Sequence, residues 1–507
     1  MADVAQIKKR QRQATSGTKK TKKIKNAPSD PMYDKNIRDM ILEYIASPIV
    51  VSTGFDFAAL FPDGTVHTWG GHTRYRELVS MPKDLSGVAR LDANDGAFVA
   101  VKDNKQVVIW GSSHSANPSD AVRAALARGV EEVCSSGSVF IARLVSGEFV
   151  HWGTFPNILD SYYLSYALKE KHTAGLSIRS LHSTNIKSIY CAYAALFSDG
   201  SIVTFGLHYQ GGFSMEVQNY ITTAGGVTAI YASDKAFVAK LKNGRIIAWG
   251  DSDYGGYISQ VIQSSLATDV VESIHSTTGA FAARMKSGRV VTWGNERYGG
   301  DSSSVQELIS QYGVAAIFTT ERAFAAKLLN NNGVVTWGYR FPGDEHSVQE
   351  MLKLQVDTIH TNSEMFVAKL INGDVVTWGH KWQGDVCHIQ KEISDAVSIH
   401  AGPSGFVAIL RDGSVYHFGG ADPYRWVHCR EDLKKTGIAF TDTDKVYLNN
   451  CWCTALRRGR SLVTWTDVYI TQHLGGDNVR RINDILRDKG ARWKNAAAAA
   501  CLGAIPR

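Results

Sequence analysis

Residues 281–294 read FAARMKSGRVVTWG, and residues 366–379 read FVAKLINGDVVTWG. Each stretch is an aromatic, a run of small apolar residues, a turn containing glycine, and a β-branched run ending in Trp-Gly. Glycine preceded by Ser or Asn admits the positive φ of a tight hairpin turn, and the flanking runs favour extended backbone. The stretch is therefore a β-hairpin. With Ser287-Gly288 as a two-residue turn, Arg284 pairs with Val291 and Ala282 with Trp293, so Ala282, Arg284, Val291 and Trp293 share a face. Phe281, Ala283, Met285, Val290 and Thr292 take the other. Both faces are largely apolar, so such a sheet needs cover on both sides.

The pattern recurs along the chain, with its terminal aromatic at Trp69, Trp110, Trp152, Phe205, Trp249, Trp293, Trp337, Trp378, Phe418 and Trp465. The intervals are 41, 42, 53, 44, 44, 44, 41, 40 and 47 residues. A period held that closely defines a repeat array of ten full units. A short apolar pair opens the units (Val271 and Ile274, Val314 and Ile317, Val356 and Ile359), and a last copy at Val479 and Ile482 is read as a partial closing unit. The expected class is all-β, a β-propeller or propeller-like array, because units stacked on two neighbours bury both faces and protect strand edges. The expected organisation is a basic arm over 1–30, a short amphipathic helix over 31–46, the array over 47–485 and a tail over 486–507. The stretches between units supply either a fourth, outer strand or a helical turn, and the long interval containing 154–181 holds an insertion.

The strand, the glycine turn and the Trp-Gly followed by a glycine six residues after the aromatic (Gly211, Gly255, Gly299, Gly343 and Gly384) resemble the RCC1 (regulator of chromosome condensation) repeat family. The chain reads as a divergent member: the Gly-Gln-Leu-Gly that follows Trp-Gly in that family is YGGD, YGGY, QGGF or QGDV here. The resemblance implies a propeller, and family members typically have about seven blades. Ten units leave three arrangements open: a seven-bladed ring with extra units, two smaller rings, or one wide ring. For function the resemblance implies either a protein-interaction scaffold working through rim loops or a chromatin-associated guanine nucleotide exchange factor or regulator of a small GTPase. No residue here matches an exchange site.

The net charge of +7 is unevenly distributed. Lys8, Lys9, Arg10, Arg12, Lys19, Lys20, Lys22, Lys23 and Lys25 lie in the first 25 residues beside a single acid, Asp3, and the rest of the chain is close to neutral. An arm so polar cannot offset its ordering entropy and is expected to be disordered alone. Its clusters suit nuclear targeting, nucleic-acid or nucleosome contact, or an anionic membrane surface; a solubilising tail is the plainer reading. The start, MADVAQIKKRQ, lacks the apolar core of a secretory signal, and no run of roughly 18 uncharged apolar residues marks a transmembrane helix. The seven cysteines are odd in number and have no framework spacing, which favours a reducing compartment. The expected location is intracellular, nucleus or cytoplasm, with a protein partner.

One polar slot repeats. Nine residues before the terminal Trp stand Arg143, Lys240, Arg284 and Lys369, with Lys327 equivalent in a unit whose turn is one residue longer. These five form either an arc that contacts an anion or acidic partner, or stems that cover the Trp faces while their charges find water or a carboxylate. His67, His151 and His417 precede the terminal aromatic, and His275, His360 and His400 follow the first apolar strand, a pattern of recurring structural use. No phosphate-binding loop, nucleophile elbow or metalloprotease motif is present. No catalytic residue, metal ligand or cofactor is assigned, and a rim hydrolase is the least supported reading.

Overall fold

The turn after the second strand sets the geometry of each unit. In unit 6, numbered by its terminal Trp293, Met285 N donates to Arg289 O at 2.8 Å and Gly288 N to Met285 O at 2.9 Å. The loop is thus three residues long, with Gly288 left-handed at φ +87°. The two-residue turn expected from the sequence is corrected by one position: Arg284 pairs with Val290, Ala283 with Val291, and Phe281 with Trp293. A type I turn closed by a left-handed glycine accounts for the shift. The residue before that glycine braces the turn, as when Asn243 Oδ1 accepts from Arg245 N at 3.0 Å or Asn372 Oδ1 from Asp374 N at 3.0 Å. One face therefore carries Phe281, Ala283, Val291 and Trp293, and the other carries Ala280, Ala282, Arg284 and Val290.

This computed structural model describes residues 48–70, 85–111, 116–155, 158–184, 191–330, 332–339, 355–379, 393–403, 405–411, 415–418, 443–449, 452–457 and 462–466. The chain divides into two compact units, 1–47 and 48–507. Among the described residues the second contains ten antiparallel sheets, each of three strands in sequence order, from Ile49–Ser52 at the start to Leu462–Thr466 at the end. Unit 6 is typical, with strands Val271–Ser276, Ala280–Met285 and Val290–Gly294. The stretches after units 2 to 6 form helices rather than a fourth strand: α1 (Asp120–Leu126), α2 (Ile158–Thr173), α3 (Met215–Thr223), α4 (Gln260–Ala267) and α5 (Gln306–Tyr312); those after units 1, 7, 8 and 9 lie mostly outside the described residues. Ser119 and Ser259 cap α1 and α4 by accepting from Val122 N and Ile262 N. The insertion is α2, buried through Leu164 and Leu168. The expected helix over 31–46, the partial unit at Val479 and Ile482, and the tail lie outside the described residues.

Each sheet buries one face on the sheet before it and the other on the sheet after it. Ala236, Val238 and Ile246 of unit 5 pack with Ile274, Phe281, Ala283 and Trp293 of unit 6. Unit 6 in turn presents Ala280, Ala282 and Val290 to Phe324 and Trp337 of unit 7. Alanine on the second strand lets the next unit's aromatics approach. Those aromatics are stacked cross-strand pairs: Phe281 and Trp293 have centroids 5.5 Å apart, Phe140 and Trp152 5.0 Å, and Phe366 and Trp378 5.1 Å. A pair of this kind is worth about 0.5–1.5 kcal/mol beyond area burial. In unit 10 Cys453 takes the place of the phenylalanine, opposite Trp465.

The same faces meet between the ends of the array. Leu456 and Leu462 of unit 10 pack with Phe57, Ala59, Phe61 and Trp69 of unit 1. Trp69 Nε1 donates to Thr454 Oγ1 at 3.1 Å, 385 positions away. Thr454 is the register equivalent of Val238, which unit 5 turns toward unit 6.

The glycine six residues after Phe205, Trp249 and Trp293 has a role that its spacing alone did not disclose. Trp249, Trp293 and Trp337 donate Nε1–H to the carbonyls of Gly211, Gly255 and Gly299, each from the preceding connector, at 3.0, 3.2 and 3.1 Å. A Cβ on Gly255 would lie 2.6 Å from Phe281 Cδ2. Gly343 and Gly384 lie outside the described residues. Backbone bonds also join the turns after the first strands: Asp234 N donates to Thr278 O, Thr278 N to Glu321 O, and Glu321 N to Ser363 O, at 2.9, 2.9 and 2.7 Å.

Candidate functional site

The first strand of each sheet is an edge, and in units 2 to 10 it carries a bulge after its first residue. A bulge breaks the regular row of donors and acceptors that would otherwise recruit another strand. The repeated cations act at this edge. Lys327 Nζ donates to Asp357 O at 2.7 Å and Lys369 Nζ to Val397 O at 3.1 Å, both carbonyls of the bulged residue in the next unit. Lys240 Nζ reaches Val271 O at the same edge of unit 6.

The two arginines of the slot pair with acids on their own sheets. Arg143 Nε lies 2.9 Å from Glu132 Oε1, which also accepts from Ile178 N of the following unit at 2.9 Å. Arg284 Nη2 lies 3.1 Å from Glu272 Oε2. Each of the five side chains thus has a partner within the chain, and an external anion would compete with those contacts. The structure distributes the five over units 3, 5, 6, 7 and 8 in equivalent places. The arm cations from Lys8 to Lys25 lie outside the described residues.

A second repeating slot is the fifth residue of the first strand, which faces the next unit. His182, His275, His360 and His400 occupy it in units 4, 6, 8 and 9. The first strand extends through these histidines, to Ser276, Thr361 and Gly402 in units 6, 8 and 9, rather than ending before them. Nε2 of His182 lies 2.8 Å from Ser180 Oγ, and Nε2 of His275 and of His400 each 3.0 Å from Ser273 and Ser398 Oγ. Burial lowers the pKa of His182 to about 4 and of His400 to about 4, the latter helped by His360. His275 and His360 are lowered by burial first and then by Arg284 and Lys369. His182 escaped the sequence reading because its unit follows the long insertion; its place one residue after an apolar Leu181 was the available signal. The same slot holds Asp92 in unit 2, paired with Arg90 Nε at 2.7 Å, and Cys134 in unit 3. Burial pushes the Cys134 thiol up to about 11, far from thiolate chemistry.

Charge near the turns is also set by burial, which raises Asp95 to about 6. Among the described residues no group of three or more His, Cys, Asp or Glu is arranged to hold a metal, and no helix is long and apolar enough to cross a membrane. The slot cations find their partners on their own sheet or at the edge of the next unit. Large exposed apolar side chains are concentrated instead on connectors, beginning with Tyr162, Tyr163 and Tyr166 on the outer face of α2.

These features define a repeat protein of ten three-stranded units that pack face to face, with indole–carbonyl bonds at Trp249, Trp293 and Trp337 and cationic straps at Lys240, Lys327 and Lys369. No protein-family model matches the chain, and no curated protein matches it. Among solved structures, it is similar to the ectodomain of the Physcomitrella patens receptor kinase CR4 at 15% identity, over 58% of this chain and 74% of that one, with a TM-score of 0.29. Human WBSCR16 matches at 12% identity over 57% and 76%, with a TM-score of 0.31. Prp20p from Saccharomyces cerevisiae, whose binding to Gsp1p and histones has been described, matches at 13% identity over 67% and 73%, with a TM-score of 0.25. Superpositions this loose carry no functional assignment.

Proposed function

We propose that the ten sheets close into one propeller-like ring that serves as a non-enzymatic protein-interaction scaffold. The closure reading is supported by Trp69 and Thr454, since unit 10 meets unit 1 through the faces that unit 5 and unit 6 use. The observation that carries the scaffold reading is the division of labour between sheets and connectors. The slot cations are engaged within their own sheet or by the next unit, while α2 holds Leu164 and Leu168 inward and turns Tyr162, Tyr163 and Tyr166 outward. Rigid frames that display exposed connectors are suited to binding proteins. The basic arm serves targeting or polyanion contact, through nucleic acid or a nucleosome, and a nuclear or cytoplasmic location fits that role.

The test is affinity capture with the full chain and with a version lacking residues 1–25, each with nuclease treatment. A protein partner retained by both forms, with nucleic acid retained only by the full chain, is the expected result. No protein recovered by either form would sink the scaffold reading.

A second reading, a guanine nucleotide exchange factor or regulator of a small GTPase, rests on the RCC1-like repeat pattern. It is assayed by nucleotide release from a Ran-type GTPase, and unchanged release at saturating protein would remove it.

A further inference from the structure

The connectors after units 4 and 5 combine exposed apolar side chains with acids and carry no Lys or Arg. Connector 206–226 lies against the third strand of unit 5, to which it is tied by Trp249 and Gly211; connector 250–270 is tied to unit 6 by Trp293 and Gly255. They occupy equivalent places on adjacent units. Each opens with a short turn of 3-10 helix, His208–Gln210 or Ser252–Tyr254, that ends on a left-handed glycine. A second glycine follows, and then an outward aromatic, Phe213 in one connector and Tyr257 in the other.

The apolar side chains these connectors leave in solvent are large. Phe213 is 43% exposed, Tyr257 68%, Met215 70% and Val261 76%, and Tyr209 and Tyr220 stand exposed beside them. The helices do not lack a buried face, because α3 buries Val217 and Ile221 and α4 buries Leu266. Their exposed apolar groups are therefore a second face, in excess of what folding needs.

The charge of the same segments is one-sided. Residues 206–226 and 250–270 contain Glu216, Asp251, Asp253 and Asp269 and no Lys or Arg. Asp269 is engaged at the far end by Ser287 N, and Asp251 accepts from Asp253 N with Lys235 beside it, which leaves the carboxylates of Glu216 and Asp253. The neighbouring turn offers a local example of what this environment accepts: Lys235 Nζ sits 4.2 Å above the Tyr254 ring. Phosphate backbones and acidic peptides would find no cation in these two segments, whereas a cationic stem finds acids for its charge and ring faces for its carbons.

We propose that this arc is the docking surface for a basic amphipathic segment of a partner protein, whose apolar side chains seat on Phe213, Met215 and Tyr257 and whose Lys or Arg side chains meet Glu216 and Asp253. The proposal rests on the scaffold reading and locates it. It differs from an arc built on the slot cations, which would select the opposite charge.

The probe is a labelled amphipathic peptide of Lys and Leu, with a Glu and Leu peptide of the same pattern as control, titrated with the full chain by fluorescence anisotropy at low and high salt. The full chain is expected to bind the Lys peptide and not the Glu peptide. Met215→Ser with Tyr257→Ser should weaken binding about tenfold, as loss of two anchors does. Glu216→Gln with Asp253→Asn should weaken it at low salt and flatten its salt dependence. These positions are exposed, so circular dichroism and the melting midpoint should not change. Equal binding by wild type and both double variants would overturn the proposal. So would concentration-dependent self-association that Tyr257→Ser abolishes, since the occupant would then be a second copy. A protein partner captured equally by wild type and variants would leave the scaffold standing and remove the arc.

Discussion

The indole Nε1–H of Trp69 donates to Oγ1 of Thr454 at 3.1 Å and so joins the first unit to the tenth. Thr454 in turn donates to Thr464 Oγ1 at 3.2 Å, and Thr464 to Cys453 O at 3.0 Å. Other units place an apolar side chain where Thr454 stands, as Val238 does in unit 5, whereas the Thr464 position also holds a threonine elsewhere, as at Thr292 in unit 6. The contact between units 10 and 1 therefore replaces part of an apolar contact with a buried hydrogen-bond chain. Removing one member leaves a buried polar group without its partner, which costs about 1–3 kcal/mol.

That chain gives a first prediction. Thr454→Val should lower the denaturation midpoint by more than the same exchange at an exposed threonine, and Trp69→Phe should do likewise. In a double-mutant cycle the two losses should be less than additive, with coupling on the order of 1 kcal/mol. Strict additivity would mean that units 1 and 10 are not in contact in solution.

Two left-handed glycines separate backbone strain from close approach. Gly244 has φ +83° and open space where a Cβ would stand, whereas Gly255 has φ +88° and a Phe281 ring atom 2.6 Å from that position. Gly244→Ala should cost about 1 kcal/mol, the strain alone. Gly255→Ala adds overpacking against the Phe281 and Trp293 stack and should cost roughly 2–4 kcal/mol. Chemical denaturation monitored by tryptophan fluorescence gives both values, and equal shifts would contradict the packing account.

Acid should loosen the array through its buried histidines. His182 and His400 have folded pKa values of about 4 against an ordinary 6.5. The folded state thus binds fewer protons than the unfolded chain between those values, so stability is full above pH 6.5 and is lost as pH falls toward 4. Asp95, raised to about 6, contributes the opposite slope, stabilising as pH falls below 6. The informative quantity is therefore the difference between variants. Thermal melts of His182→Gln with His400→Gln should show a shallower fall between pH 6.5 and 4 than the parent, and an unchanged fall would exclude these two groups as its source.

The slot cations admit a direct comparison of their two roles. As straps on edge carbonyls, Lys327→Met and Lys369→Met should each cost about 0.5–1.5 kcal/mol. Charge reversal at Arg284 and Lys327 should lower the midpoint further while leaving polyglutamate binding, measured by anisotropy, as it was. A polyglutamate affinity that falls with charge reversal would assign the slot to anion contact instead.

The repeat was legible in the sequence because its signal is local: Phe281 and Trp293 are linked by one short turn, and the spacing recurs. The strand register was not, because Lys286-Ser287-Gly288 can be read as a two-residue turn preceded by a strand residue, and only the bond from Gly288 N to Met285 O distinguishes the readings. Connectors such as Gln260–Ala267 carry enough polar residues to suit a helix or an edge strand, and packing of Leu266 decides between them. The contact of Trp69 with Thr454 had no local signature, since unit 10 lacks the phenylalanine of its fellows. The candidate surface was hidden for a related reason: Phe213 and Tyr257 share a slot, but only the fold shows that both point into solvent.

The central claim, one closed ring of ten units, is tested most directly by electron-microscopic class averages of the purified full chain viewed along the array axis. The account predicts a single closed ring of ten sheets with unit 10 seated on unit 1. An open arc, two rings, or a seven-sheet ring with three units outside it would contradict it.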